Sequence, residues 1–176
     1  MISDINDLIE KLLEGTKKFE DYENILHNLK LDRKDVEKYL YFKDNFYTRN
    51  LVYKNDNLEL MLLCWEKGQE TPIHNHQGSE GWVYVISGEI EEKTYRVHSD
   101  AKRYDVELIK TQKLPPKSVS HINDDIGIHS LSNLGDQSIT LHLYVPIIKE
   151  CMYFDPTTFS LKSRTMSYFS SMGTVL

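Results

Sequence analysis

Three histidines carry the chemistry most legible in this chain: His74 and His76 in the run His74-Asn75-His76, and His129 much later. Side chains two residues apart on an extended segment leave on one face, so His74 and His76 can aim two imidazoles at one point. A third from a distant strand completes a binding set for a divalent transition metal. A solitary His-x-His reads equally well as a polar strand face, because histidine is intermediate in burial. Gly68 before the pair and His129 after it favour the metal. Two further groups have the same period. Tyr47 and Arg49 share a face, and a guanidinium fork suits a carboxylate, although an arginine also makes surface ion pairs. Thr140, His142 and Tyr144 alternate with Ile139, Leu141 and Leu143. A hydroxyl, an imidazole and a phenol on one face can form a hydrogen-bonded chain, where the plainer reading is a solvated strand face.

The elements that must position these groups fall into two regions. Residues 1–45 carry helical spacing. Ser3 or Asp4 can cap a segment with Ile5, Leu8, Ile9, Leu12 and Leu13, closed by Gly15; a second segment carries Phe19, Tyr22, Ile25, Leu26 and Leu29, and a third starts at Asp32. Leu and Ile at this spacing are core, so no chemistry is assigned there. Residues 46–176 read as strands: Tyr47–Tyr53, Leu58–Trp65, Trp82–Ser87, Glu89–Val97, Tyr104–Leu114, Ile128–Asn133 and Ile139–Val145. Turn clusters such as Lys54-Asn55-Asp56-Asn57 and Leu134-Gly135-Asp136-Gln137 separate them. Many short strands with little helix between them indicate a barrel or sandwich. The tail from Cys151 to Phe169, with a turn at Asp155-Pro156-Thr157, reads as a hairpin.

At 176 residues the chain is expected to be a single domain, able to bury about 70% of the surface its unfolded form exposes. Its 27 acidic and 21 basic residues give a net charge of -6, which argues against a phosphate backbone and hence against nucleic acid as a partner. Cys64 and Cys151 form no CxxC, and Cys64 lies in an apolar run as a small buried hydrophobe. No basic leader or membrane-length apolar stretch is seen, so a cytoplasmic protein without a membrane partner is expected, acting as a monomer on small molecules.

Gly68, His74, His76, Glu80 and the segment His129 to Asn133 resemble the two motifs of the cupin superfamily, β-barrels that hold a metal among histidines from separate strands. The resemblance implies a mainly β fold, a single jelly-roll barrel with the N-terminal helices packed outside. It narrows further. Tyr47-Thr48-Arg49-Asn50-Leu51-Val52, Leu63-Cys64-Trp65, Ile73-His74-Asn75-His76, Ile122 to His129 and Leu141-His142-Leu143-Tyr144 fall in the order found in the cysteine dioxygenase family, from Tyr47 to Asp155. The family implies one Fe(II) per chain on His74, His76 and His129, and oxidation of L-cysteine by O2 to cysteine sulfinic acid. Three neutral imidazoles leave the ion its full charge, which favours an anionic thiolate. In that frame Arg49 holds the substrate carboxylate and Tyr47 orients the substrate or closes the pocket. Tyr144 sets its hydroxyl near thiolate and oxygen, His142 fixes Tyr144, and Thr140 completes the relay.

Several positions depart from the pattern. Gly81 stands where the animal enzymes have a cysteine that forms a thioether with the matching tyrosine, so Tyr144 is expected to keep a free phenol, as in bacterial members. Thr140 replaces the usual serine. Glu80 falls where general cupins place a metal-binding glutamate, but the spacing to Gly88 is that of the thiol dioxygenases, where this position stays off the metal. His27, His98 and His121 are read as surface or structural, and a cis Val145-Pro146 bond is left open. Rival readings are a dioxygenase for 3-mercaptopropionate or cysteamine, a non-catalytic metal- or ligand-binding cupin, and an isomerase or decarboxylase with Glu80 as a fourth ligand. Relatives acting on 3-mercaptopropionate tend to have glutamine in place of Arg49. Cysteamine would leave a buried guanidinium unpaired at about 1 to 3 kcal/mol.

Overall fold

The computed structural model describes residues 1–15, 17–100 and 103–176. Its elements are α1 (Ile5–Leu13), α2 (Phe19–His27), a 3-10 helix (Arg33–Tyr39), and the strands β1 (Thr48–Lys54), β2 (Glu59–Glu66), β3 (Glu80–Ser87), β4 (Ile90–Ser99), β5 (Tyr104–Leu114), β6 (Val119–Ile122), β7 (Ile128–Asn133), β8 (Gln137–Val145), β9 (Glu150–Asp155), β10 (Ser160–Thr165), β11 (Ser170–Ser171) and β12 (Thr174–Val175). Of the two candidate caps for α1, Asp4 does the work, accepting from the Asn6 and Asp7 N–H groups. The segment expected to start a third helix at Asp32 is the 3-10 turn, with the Asp35 carboxylate accepting from the Asp32 N–H.

The fold is mainly β. Seven strands form one sheet in the order β12-β11-β1-β2-β8-β3-β6, three form a second as β5-β4-β7, and β9 pairs with β10 in the hairpin expected of the tail. The barrel expected from the sequence is not closed by continuous pairing. Residues 70–76, which carry Pro72, lie between β7 and β9 and join them through isolated bridges, Glu70 to Ser132 and His74 to both His129 and Tyr153, and a few backbone hydrogen bonds rather than a continuous ladder. Proline lacks the N–H that a continuous ladder needs.

Sheet period explains the layering. On β2 and β8, Leu60, Leu62, Leu141 and Leu143 face one way and meet Leu8, Leu12, Leu26 and Leu29 of the helical region. The N-terminal helices therefore pack outside the large sheet. The opposite residues, Met61, Leu63 and Trp65, face inward against Val83, Val85, Ile90 and Leu131. Thr140, His142 and Tyr144 share that inward face, so both faces of β8 are buried and the solvated-face reading fails. β6, β11 and β12 escape sequence reading because they are two to four residues long. The Val145-Pro146 bond is cis. Among the described residues no helix is long and apolar enough to cross a membrane.

Candidate metal centre and its pocket

The antiparallel bridge between His74 and His129 is closed by two backbone hydrogen bonds, His74 N–H to His129 O at 2.9 Å and the reverse at 3.0 Å. It brings these rings to 4.8 Å between centroids. His76, two residues on, lies 4.7 Å from His129 and 5.3 Å from His74. One nitrogen from each ring falls within 4.8 Å of the others, the one such cluster of metal-ligating side chains among the described residues.

Neighbours fix the direction of two of the three rings. The Nδ1–H of His74 donates to Pro72 O at 2.9 Å and the Nδ1–H of His129 to Glu92 Oε1 at 2.7 Å, which leaves each Nε2 with a lone pair. Both ring nitrogens of His76 and Nε2 of His129 are buried without a hydrogen-bond partner. Buried polar atoms are rarely left so, and a cation that accepts their lone pairs is the group they fit. Protonation is disfavoured as well: burial, then the neighbouring His129, pushes His74 down to about 3, and the same two causes hold His76 well below its usual value. Glu92 is itself buried. Burial alone would raise its carboxyl, but hydrogen bonds from His129, Ser120 and Gln112 bring it below the ordinary range. Asp124 shapes the turn after His76, its two oxygens accepting from the His76 and Gly78 N–H groups at 2.8 Å each.

The inward face of β8 forms a directed chain. Trp65 Nε1–H can only donate, and it donates to Thr140 Oγ1 at 2.9 Å. The Thr140 hydroxyl can give its proton to His142 Nε2 at 2.8 Å, and in the tautomer this sets, His142 Nδ1–H donates to the Tyr144 oxygen at 3.2 Å. In that tautomer each donor from Trp65 to His142 has an acceptor, and the Tyr144 hydroxyl proton is left to point into the cavity. Burial holds His142 neutral and raises the Tyr144 phenol well above its usual value, with Arg49 opposing that rise in Tyr144. The ring of His76 lies 5.9 Å from that of Tyr144.

A pocket of about 420 Å³ opens over His74, Tyr144, Tyr47 and Arg49, walled on one side by Arg164 to Phe169 of the C-terminal segment. Tyr47 stacks on Trp65 at 4.7 Å. The Arg49 side chain is 15% exposed, and its Nε and Nη2 make no hydrogen bond. Nη1 reaches Met166 Sδ at 3.7 Å, and Nη2 lies 3.6 Å from Glu59 Oε1.

Of the eight site residues read from the sequence, Tyr47, Arg49, His74, His142 and Tyr144 line one cavity, His76 and His129 complete the histidine cluster, and Thr140 lies buried behind His142. Glu80 joins neither group: it is hydrogen-bonded to His121 Nε2 at 2.6 Å and to Asn123. That engagement, with His121 itself packed on Phe19 and Trp82, removes the fourth-ligand reading. His98 pairs with Glu107 at the surface, as expected. A Cβ added at Gly81 would meet Tyr144 Cε1 at 3.2 Å, and glycine there leaves the phenol without a covalent partner. Cys64 is fully buried and burial raises its thiol to about 11; burial also raises Cys151. Sequence reading missed Glu59, Glu92, Asp124 and Tyr168. For Glu92 and Glu59 a signal existed, an acidic residue on the apolar parity of a strand.

The family model for cysteine dioxygenase type I matches residues 2–157. The chain is 28% identical over 176 residues to cysteine dioxygenase type 1 of Homo sapiens, covering 98% of this chain and 88% of the human one. It is 27% identical over 157 residues to the Danio rerio enzyme of the same name, covering 88% and 78%. Among solved structures, a protein with a double-stranded β-helix domain from Klebsiella pneumoniae superposes with a TM-score of 0.51 at 19% identity, over 63% of this chain and 86% of the other. That likeness speaks for the fold alone.

Proposed function

The chain belongs to the cysteine dioxygenase type I family, and on that premise we propose that it oxidises L-cysteine with O2 to cysteine sulfinic acid, using one Fe(II) per chain on His74, His76 and His129. The observation that carries this reading is a cavity lined by both His74 and Arg49: His76 and His129, clustered with His74, offer imidazole nitrogens that lack protein partners, and the arginine's Nε and Nη2 lack them too. A ligand that satisfies both has a metal-seeking sulfur at one end and a carboxylate at the other. The same reading takes the two larger sheets as the walls of a cupin jelly roll, residues 1–176 as one domain, and the enzyme as a cytoplasmic monomer.

The balance is simple: the thiol and O2 combine to the sulfinic acid, sulfur is oxidised, both oxygen atoms are reduced, and no further reductant is required. Fe(II), when bound, supplies the Lewis acidity that favours the thiolate and the redox chemistry between sulfur and O2. Arg49 binds the carboxylate through its open donors and so fixes the distance from the carboxylate to the sulfur. Tyr47, immobilised on Trp65, bounds the cavity beside it. The Tyr144 phenol, kept protonated by burial, directs its free proton toward the reacting sulfur and oxygen atoms, while His142 and Thr140 hold that phenol in place. The protein supplies no nucleophile, in keeping with two thiols whose protons are held more tightly than usual.

The test is metal analysis followed by oxygen uptake with cysteine, cysteamine and 3-mercaptopropionate. One iron per chain and preferred uptake with cysteine are expected. An iron-loaded protein that consumes no oxygen with any thiol ends the proposal.

A further inference from the structure

Beneath Arg49 lies a carboxylate that the proposed reaction does not use. Glu59 is fully buried, and its neighbours are cationic: Arg49 Nη2 is 3.6 Å from Oε1 and Lys54 Nζ is 3.6 Å from Oε2. The Tyr168 hydroxyl donates to Oε2 at 2.8 Å and accepts from Lys54 Nζ at 2.9 Å. The backbone makes this cluster. β1 and β2 slip by one residue between Leu51 and Tyr53, so Lys54 pairs with Glu59 and emerges on the same face as Arg49 although five positions separate them. Tyr168 is held nearby because the next residue, Phe169, donates its N–H to Arg49 O at 2.7 Å.

Glu59 is thus an ion-pair partner of Arg49 that does not hydrogen-bond to it. Left to itself, a buried carboxylate close to a guanidinium moves into bidentate contact, the strongest pairing open to it. Here one oxygen is tied to Tyr168 and drawn toward Lys54, away from Arg49. We infer that Tyr168 and Lys54 restrain Glu59, an internal competitor for the guanidinium, and so keep Arg49 open for a substrate carboxylate. The inference rests on the reading of Arg49 as the carboxylate site. In it Glu59 offsets the charge of a mostly buried arginine before substrate arrives without taking its donors, and Tyr168 and Lys54 are positioning residues acting through Glu59.

The test is a double-mutant cycle on the iron-loaded enzyme, reading KM and kcat for cysteine by oxygen uptake and the cysteine Kd by anaerobic calorimetry, which needs no turnover. Tyr168→Phe frees Glu59 to collapse onto Arg49, so KM and Kd rise about tenfold with kcat within about twofold of the parent. Lys54→Met moves them the same way. In the Glu59→Gln background Tyr168→Phe has no further effect, and the double variant binds cysteine more tightly than Tyr168→Phe alone. A double variant weaker than Tyr168→Phe overturns the inference, as do unchanged KM and Kd in Tyr168→Phe and Lys54→Met, two variants that leave Glu59 in place. A wild-type enzyme that oxidises no thiol overturns the dioxygenase reading instead, and the calorimetry still decides whether Glu59 competes.

Discussion

The two ends of the pocket solve the problem of buried polarity in opposite ways. At the histidine end, burial removes charge: His74, His76 and His142 are all held neutral, a hydrogen-bonded chain links Trp65 to Tyr144, and the unpartnered nitrogens of His76 and His129 are left for a metal. At the arginine end, charge is kept and balanced, with Arg49, Glu59 and Lys54 within 3.6 Å contacts. A neutral, hydrogen-bonded end suits a metal and proton donation, because its groups stay in one protonation state. A charged end with open donors suits capture of an anion, because its binding free energy is released only when the partner arrives.

The sharpest way to break this division is at the histidines. His129→Ala should abolish stoichiometric metal binding and lower turnover by at least about a thousandfold, read by metal analysis and oxygen uptake, because two imidazoles do not replace three. Glu92→Gln replaces the carboxylate that accepts from His129 Nδ1–H. Metal affinity should fall about 10- to 100-fold in titrations of the metal-free protein, as expected when the partner that orients a ligating histidine is lost. The next comparison crosses the pocket: Tyr144→Phe should lower kcat about 10- to 100-fold with KM little changed, whereas Arg49→Gln should raise KM about tenfold or more and spare kcat. Similar effects on both constants in both variants would erase the distinction between the ends. The smallest effect is on stability. His142 is neutral in the fold and protonates in the unfolded chain near pH 6.5, so the unfolded state binds more protons as pH falls and stability declines. Relative to His142→Gln, the metal-free parent should lose up to about 1.4 kcal/mol per pH unit below about pH 6.5, measured by chemical denaturation.

The histidine end was largely legible because its residues obey period two on short stretches: His74 and His76, then Thr140, His142 and Tyr144. The mainly β character followed from the short strand-like runs and the helices from their helical spacing, while the place of those helices outside the sheets came from the family resemblance. The closed barrel is not seen, because Pro72 and the bridged segment around it break the ladder that would close it. The arginine end was legible only at Arg49. Glu59 and Lys54 meet through a strand slip that no sequence parity reveals, and Tyr168 arrives from a segment whose strands are two residues long. Glu92 was passed over although it shares a parity with Ile90, and its pairing opposite Leu131 turns it inward.

The central claim is that both oxygen atoms of O2 pass to the sulfur of cysteine at the three-histidine site. Mass analysis of the product formed by the iron-loaded enzyme under 18O2 tests it most directly. The account predicts cysteine sulfinic acid carrying label in both sulfinate oxygens, lost in His129→Ala. Product labelled at a single oxygen, or disulfide alone in equal amounts from enzyme and variant, would contradict it.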